Sequence, residues 1–224
     1  METFQSCSGK TPFTISVEGI IGSGKSTLIT SFENFSSTHV VYEPVNKWQE
    51  FEGINLLNGL YKDYYKYFLP FQLVVFQTCL ENQISDKNDK NIRIMERSLF
   101  SSFYCFVEKT KTDPLLRVEY EVLRSWFLFL TNQFQTELQI DQIIYLRTDP
   151  EIAFRRIKKR DRPEERDLSL EYLAELRDYH DNWLLHSTYP IPAPHVTVLD
   201  GNKELSELDV DIQNLKKTLL EKLP

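Results

Sequence analysis

The sequence predicts an α/β fold, a five-stranded parallel sheet with helices on both faces. Three observations carry that expectation. Five short apolar runs, Phe13–Glu18, His39–Tyr42, Asn91–Met95, Gln142–Leu146 and His195–Leu199, have the length and β-branched content of strands. Helical stretches separate them with no linker, repeat or low-complexity segment between, which implies right-handed βαβ crossovers. The first run ends in G-I-I-G-S-G-K-S, Gly19–Ser26, a phosphate-binding pattern set between strand and helix as its mechanism requires.

Taken in order, the elements bring charge to one edge of the sheet, where ligands of parallel α/β proteins bind. Strand one runs into the glycine loop, whose backbone curls so that successive N–H groups face an anion at a helix N-terminus. Gly19, Gly22, Ser23, Gly24, Lys25, Ser26 and Thr27 are the expected triphosphate contacts, with Lys25 on the terminal phosphates and the Ser26 hydroxyl on Mg²⁺. Strand two runs into Glu43-Pro44, and proline biases Glu43 toward extended backbone. A carboxylate facing that loop suits a general base for a substrate hydroxyl. Trp48, Tyr61, Tyr64, Tyr65, Tyr67 and Phe68 form an aromatic-rich stretch, suited to sandwiching a base or to plain packing.

Pro70 is well placed at a helix start, and Gln72, Val75, Phe76 and Cys79 then fall on one helical stripe. Gln72 is out of place there unless its amide is paired, and a nucleobase edge would pair it. Strand three delivers Glu96-Arg97-Ser98, an acid for Mg²⁺ beside an arginine that can steady Glu43 and the phosphoryl group in flight. Helices are expected over Leu99–Thr110 and Val118–Leu138, apolar enough for one face to meet a second subunit. Strand four delivers Arg147-Thr148-Asp149-Pro150. Arg156, Lys159, Arg160 and Arg162 follow, and in a phosphate-transfer protein this run reads as a lid, about residues 156–168. Glu164 and Glu165 would then point inward to a substrate hydroxyl. Near Asp200-Gly201-Asn202 a donor base would be only weakly marked.

Bulk properties narrow the class. At 224 residues the chain fits one domain, residues 13–224, behind a tail of residues 1–12. A net charge of −7 argues against a nucleic-acid polymer as ligand. Cys7, Cys79 and Cys105, odd in number and without metal spacing, suggest free thiols. The longest apolar stretch, Trp126–Leu130, is far below a membrane span of roughly 20 residues. Acidic Glu2 and the short tail suggest neither transit nor signal peptide, so a cytoplasmic or nuclear site is expected.

These residues resemble a known family, the deoxynucleoside kinases related to deoxycytidine kinase and mitochondrial thymidine kinase, and most of all the broad-specificity insect enzyme. The motifs that carry it are E-G-I-I-G-S-G-K-S (18–26), Y-E-P-V-N-K-W (42–48), I-N-L-L-N-G-L-Y-K-D (54–63), P-F-Q (70–72) and I-M-E-R-S-L-F-S-S-F-Y-C-F-V-E (94–108). I-I-Y-L-R-T-D-P-E (143–151), R-D-R-P-E-E (160–165), S-L-E-Y-L (169–173) and W-L-L-H (183–186) continue it, from about Thr11 to about Leu199. The resemblance implies a P-loop kinase fold with an arginine-rich lid and ATP-dependent phosphorylation of a deoxynucleoside 5′-hydroxyl with Mg²⁺. Glu43 then matches the base, Arg97 the arginine beside it and Glu96 the metal-associated acid. Tyr61 and Glu165 match the pair on the 3′-hydroxyl, and Gln72 the amide on the base edge, with Trp48 and Phe106 flanking the ring. Arg156, Arg160 and Arg162 match the lid arginines. A homodimer and feedback inhibition by an end-product triphosphate are also implied.

Two positions depart from the family pattern. Ile20 stands where Asn is usual, and Phe103 where Arg is common. Cytidine-preferring relatives carry Arg and Asp at the positions of Cys79 and Ser102, and with modest Val75 the floor here has room for a 5-methyl group. Thymidine is therefore expected first, deoxycytidine second and purine deoxynucleosides weaker. A nucleoside monophosphate kinase of the same fold, such as a thymidylate kinase, and a non-catalytic nucleotide-binding subunit are the alternative readings.

Overall fold

A computed structural model describes residues 12–35, 37–84 and 90–222. The expectations placed on the N-terminal tail, including Glu2 and the Cys7 thiol, lie outside the described residues. Strands β1 (Phe13–Glu18), β2 (Thr38–Val41), β3 (Ile92–Glu96), β4 (Gln142–Arg147) and β5 (Val196–Asp200) form one parallel sheet in the order β2-β3-β1-β4-β5. Each lies within a residue or two of its expected place, because a strand buried on both faces leaves a continuous apolar run in the sequence. Register fixes the site's geometry: Val17 of β1 pairs with Glu96, so the ends of β1 and β3 reach the same level.

Helices α1 (Lys25–Thr30), α2 (Val45–Gln49), α3 (Leu56–Lys62), α4 (Tyr64–Ile84), α5 (Leu99–Ser101), α6 (Arg117–Gln133), α7 (Pro150–Arg160), α8 (Leu170–Leu184) and α9 (Leu205–Lys222) surround the sheet. One apolar cluster joins Ile143 and Tyr145 of β4 to Phe68, Phe76, Phe127 and Trp183. A second packs Ile15, Val17, Ile94 and Ile144 against α1 and α9 through Leu28, Ile29 and Ile212. Among the described residues no helix is long and apolar enough to cross a membrane.

Three helical expectations need correction. Pro70 lies inside α4, six residues past its start at Tyr64. Flanking turns rich in buried Phe68, Phe71 and Val74 hold the helix together, although the ring removes the N–H that would bond the Lys66 carbonyl. Helix α6 ends at Gln133, and Leu138 is buried within the following turns. The segment from Leu99 to Thr110 is helical throughout but not uniformly α: a π turn spans Ser102–Val107 and a 3₁₀ turn Glu108–Thr110. The wide turn puts Ser102 and Phe106 on the cavity wall while Phe103 stacks on Phe127, centroids 4.2 Å apart at 6°. Phe103 is thus core, and aromatic packing occupies the place where an ion pair was in doubt.

Candidate active site

A cavity of about 600 Å³ opens beyond the carboxyl ends of β1, β2 and β3, walled by α3, α4 and the π turn and roofed by the end of α7 and the turn after it. Its phosphate-loop side is formed by Gly22, Gly24, Lys25, Ser26 and Thr27. Gly22 has φ +78°, and a Cβ there would stand 2.6 Å from the Ala153 carbonyl oxygen, so only glycine lets the loop rest on α7. Gly19 and Ser23 lie beneath, out of the cavity wall. Lys25 is buried, and its Nζ donates to the carbonyls of Gly19 (3.2 Å) and Ile20 (3.0 Å). Burial first, then the charge of Arg97, pull its ammonium down to about 8. Ile20 packs on Ala153, Ile157, Leu168 and Leu173, so an apolar contact buttresses the loop here.

Opposite the loop, Arg97 Nε meets Glu43 Oε1 at 2.8 Å, with side chains 4% and 17% exposed. Arg97 holds a left-handed φ of +64° and its guanidinium lies 4.8 Å from the Phe106 ring centroid. Arg97 Nη1 is buried with no partner among the described residues. Next to it the Ser26 hydroxyl donates to Glu96 Oε1 at 2.9 Å. Burial, then the charge of Glu43, push the Glu96 carboxyl up. A hydroxyl and a carboxylate side by side suit a hard cation that keeps water and phosphate oxygens as its other ligands.

Deeper in the cavity, Gln72 is buried and its Oε1 has no partner among the described residues. Trp48 is fixed by an Nε1 hydrogen bond to Thr78 Oγ1 (2.9 Å) and by an edge contact with Phe71. Val75, Ser102 and Phe106 complete this end. Cys79 lies behind the wall with its sulfur 3.5 Å from Ser102 Oγ, and burial pushes the thiol up to about 12. The other described cysteine, Cys105, is also free and buried.

The lid residues divide. Glu165 pairs with Arg160 and, at 2.5 Å, with Arg162, and all three line the cavity beside Tyr61. Arg156 also lines it, yet its guanidinium donates to the carbonyls of Ser23 (3.0 Å) and Gly201 (2.8 Å), pinning the phosphate loop to the β5–α9 turn. Glu164 does not point inward as expected. Its Oε1 accepts from Gln49 (3.1 Å) and Asn55 (2.9 Å), because consecutive residues of a 3₁₀ turn face different sides.

Comparison with known proteins identifies the family of the chain. The family described as Deoxynucleoside kinase matches residues 15–223. The chain belongs to the deoxynucleoside kinase family. Human mitochondrial thymidine kinase 2 is 36% identical over 196 residues, covering 87% of this chain and 72% of that one. Human deoxycytidine kinase is 31% identical over 232 residues (93% and 87%), and Xenopus laevis mitochondrial deoxyguanosine kinase 32% over 195 (78% and 74%). The protein is therefore a nucleoside kinase of P-loop fold.

Several wall residues of this kinase escaped the sequence reading: Ile21, Val45, Leu57, Leu60, Phe71, Lys109 and Tyr172. Leu57, Leu60 and Tyr61 carry an i, i+3, i+4 spacing that could have flagged one face of α3. Lys109 follows Phe106 by three residues, and its ammonium sits 5.5 Å from the Tyr64 centroid and 5.0 Å from that of Tyr172.

Proposed function

We propose that the protein, acting as one domain over residues 13–224, transfers the terminal phosphoryl group of ATP to the 5′-hydroxyl of deoxynucleosides. Thymidine is preferred, deoxycytidine second, and purine deoxynucleosides follow. The observation that carries this reading is the Glu43–Arg97 pair, held at 2.8 Å in the same cavity as the phosphate loop. Glu43 accepts the hydroxyl proton, and Arg97 orients the carboxylate while its free Nη1 offers a donor to the group in transit. Loop amides and Lys25 hold the donor phosphates. The carbonyls that Lys25 now bonds are weaker partners than a triphosphate, so its ammonium turns to the phosphates when they arrive. Ser26 and Glu96 would hold Mg²⁺, which would supply charge neutralisation to the donor phosphates. Arg160 and Arg162 close over the donor, and Glu165 with Tyr61 takes the 3′-hydroxyl.

Gln72 supports the nucleoside assignment, since a base edge satisfies its orphan oxygen. Uncharged Cys79 and Ser102 support room for a 5-methyl group. A homodimer is also proposed: Val118, Val122, Trp126 and Phe129 stand exposed at i, i+4, i+8 and i+11 along α6, one apolar stripe. Catalytic efficiencies on the four deoxynucleosides with ATP and Mg²⁺, beside thymidine monophosphate as acceptor, test the reading. Thymidine leading is expected. A strong purine preference refutes the ranking, and phosphorylation of the monophosphate alone refutes the reaction.

A further inference from the structure

Glu18 ends β1, one residue before the phosphate loop, and is 0% exposed. It is absent from the cavity wall, and neither phosphate binding nor proton transfer uses it. A sealed carboxyl group is costly unless its hydrogen bonds serve something. Its Oε1 accepts from Ser16 Oγ at 2.6 Å and from Ser98 Oγ at 2.7 Å, while Oε2 is buried with no partner among the described residues.

Ser98 directly follows Arg97, and its hydroxyl also accepts from the Ser101 amide at 3.4 Å, starting α5. Arg97 occupies the left-handed region at φ +64°, which a residue with a side chain keeps only where its surroundings hold it. The strained residue and the one after it are both tied to the end of β1. The Arg97 amide donates to the Val17 carbonyl at 3.0 Å, and the Ser98 hydroxyl donates to Glu18. The turn so held aims the guanidinium back at Glu43. An apolar side chain of similar size at residue 18 would fill the space but leave two buried serine hydroxyls without an acceptor.

We propose that Glu18 is a positioning residue for phosphoryl transfer: through Ser98 it holds the strained turn that presents Arg97 to Glu43. The inference rests on the roles given to Glu43 and Arg97 above and adds a residue that touches no substrate.

The test measures kcat on the deoxynucleoside that the wild type turns over best, with nucleoside affinity by titration calorimetry. Glu18→Ala is expected to lower kcat at least about tenfold while affinity stays within about threefold, since only the transferring geometry is lost. Glu18→Gln, whose amide oxygen still accepts from both serines, recovers most of the rate. In an Arg97→Ala background, Glu18→Ala lowers kcat by less than about twofold more, because the two act through one path. Ser98→Ala reproduces the loss and carries the test should Glu18→Ala fail to fold. The inference is overturned by kcat near wild type in Glu18→Ala or Ser98→Ala. Equal impairment of Glu18→Gln and Glu18→Ala also overturns it, as does multiplication of the Arg97→Ala loss. An inactive wild type would overturn the functional reading itself; an active wild type beside an unimpaired Glu18→Ala overturns this inference alone.

Discussion

Replacing Glu43 by Gln removes one negative charge and almost no volume, which separates the proton acceptor from the shape of the site. Two magnitudes follow. Loss of a general base lowers kcat by about 10²–10⁴-fold, roughly 3–5 kcal/mol of barrier. The partner Arg97 is 4% exposed, so its charge is left less well compensated. Removing one member of a buried pair costs about 3–5 kcal/mol when nothing replaces it. Here the glutamine oxygen still accepts from Arg97 Nε, and the carboxyl groups of Glu18 and Glu96 also act on that arginine. About 1–2 kcal/mol of lost stability is therefore expected, a fall of about 2–8 °C in Tm for a chain of this size. Steady-state kinetics with thymidine, calorimetric nucleoside affinity and a thermal melt read the three quantities separately. A kcat within tenfold of wild type would refute the base. A loss of kcat matched by loss of nucleoside affinity would refute the claim that Glu43 acts on the transferring step.

Three further outcomes are expected. Cys79→Arg with Ser102→Asp, which turns two touching uncharged groups into a charged pair, should shift kcat/KM from thymidine toward deoxycytidine, and unchanged selectivity would displace the pocket floor from these residues. Phe103→Ala opens a cavity against Phe127 and should cost about 3–5 kcal/mol, read as a denaturant midpoint shift; a loss below about 1 kcal/mol would contradict the packing. His180 is fully buried, and burial, then the charge of Arg97, pull its imidazole down to about 3. The unfolded chain binds that proton below about 6.5 and the native chain does not until about 3, so stability falls as pH drops through this window. His180→Phe should flatten the slope of stability between about pH 6 and 4 by up to about 1.4 kcal/mol per pH unit, and parallel slopes for the two proteins would rule this out.

The sheet was legible because each strand is a short apolar run ending in charge, and that pattern also located Glu43, Glu96 and Arg97. Local spacing reads well where a loop makes its own geometry, as at Gly22 and Gly24, which hold φ of +78° and +101°. It fails where packing overrides a local preference. Pro70 reads as a helix start, yet burial of the turns on either side carries α4 through it. The π turn at Ser102–Val107 has no local signature, yet with the packing of Phe103 on Phe127 it places Phe106 rather than Phe103 on the cavity wall. Glu18 was hidden for another reason: a single acid beside a glycine motif carries no sign of the serines that close on it from β1 and the end of β3.

The most direct measurement follows labelled phosphate from γ-labelled ATP into thymidine with Mg²⁺ present, and locates it on the product by NMR. The account predicts thymidine 5′-monophosphate and ADP in equal amounts. Label found at the 3′ position, or thymidine recovered unchanged from demonstrably folded protein that binds ATP, would contradict it.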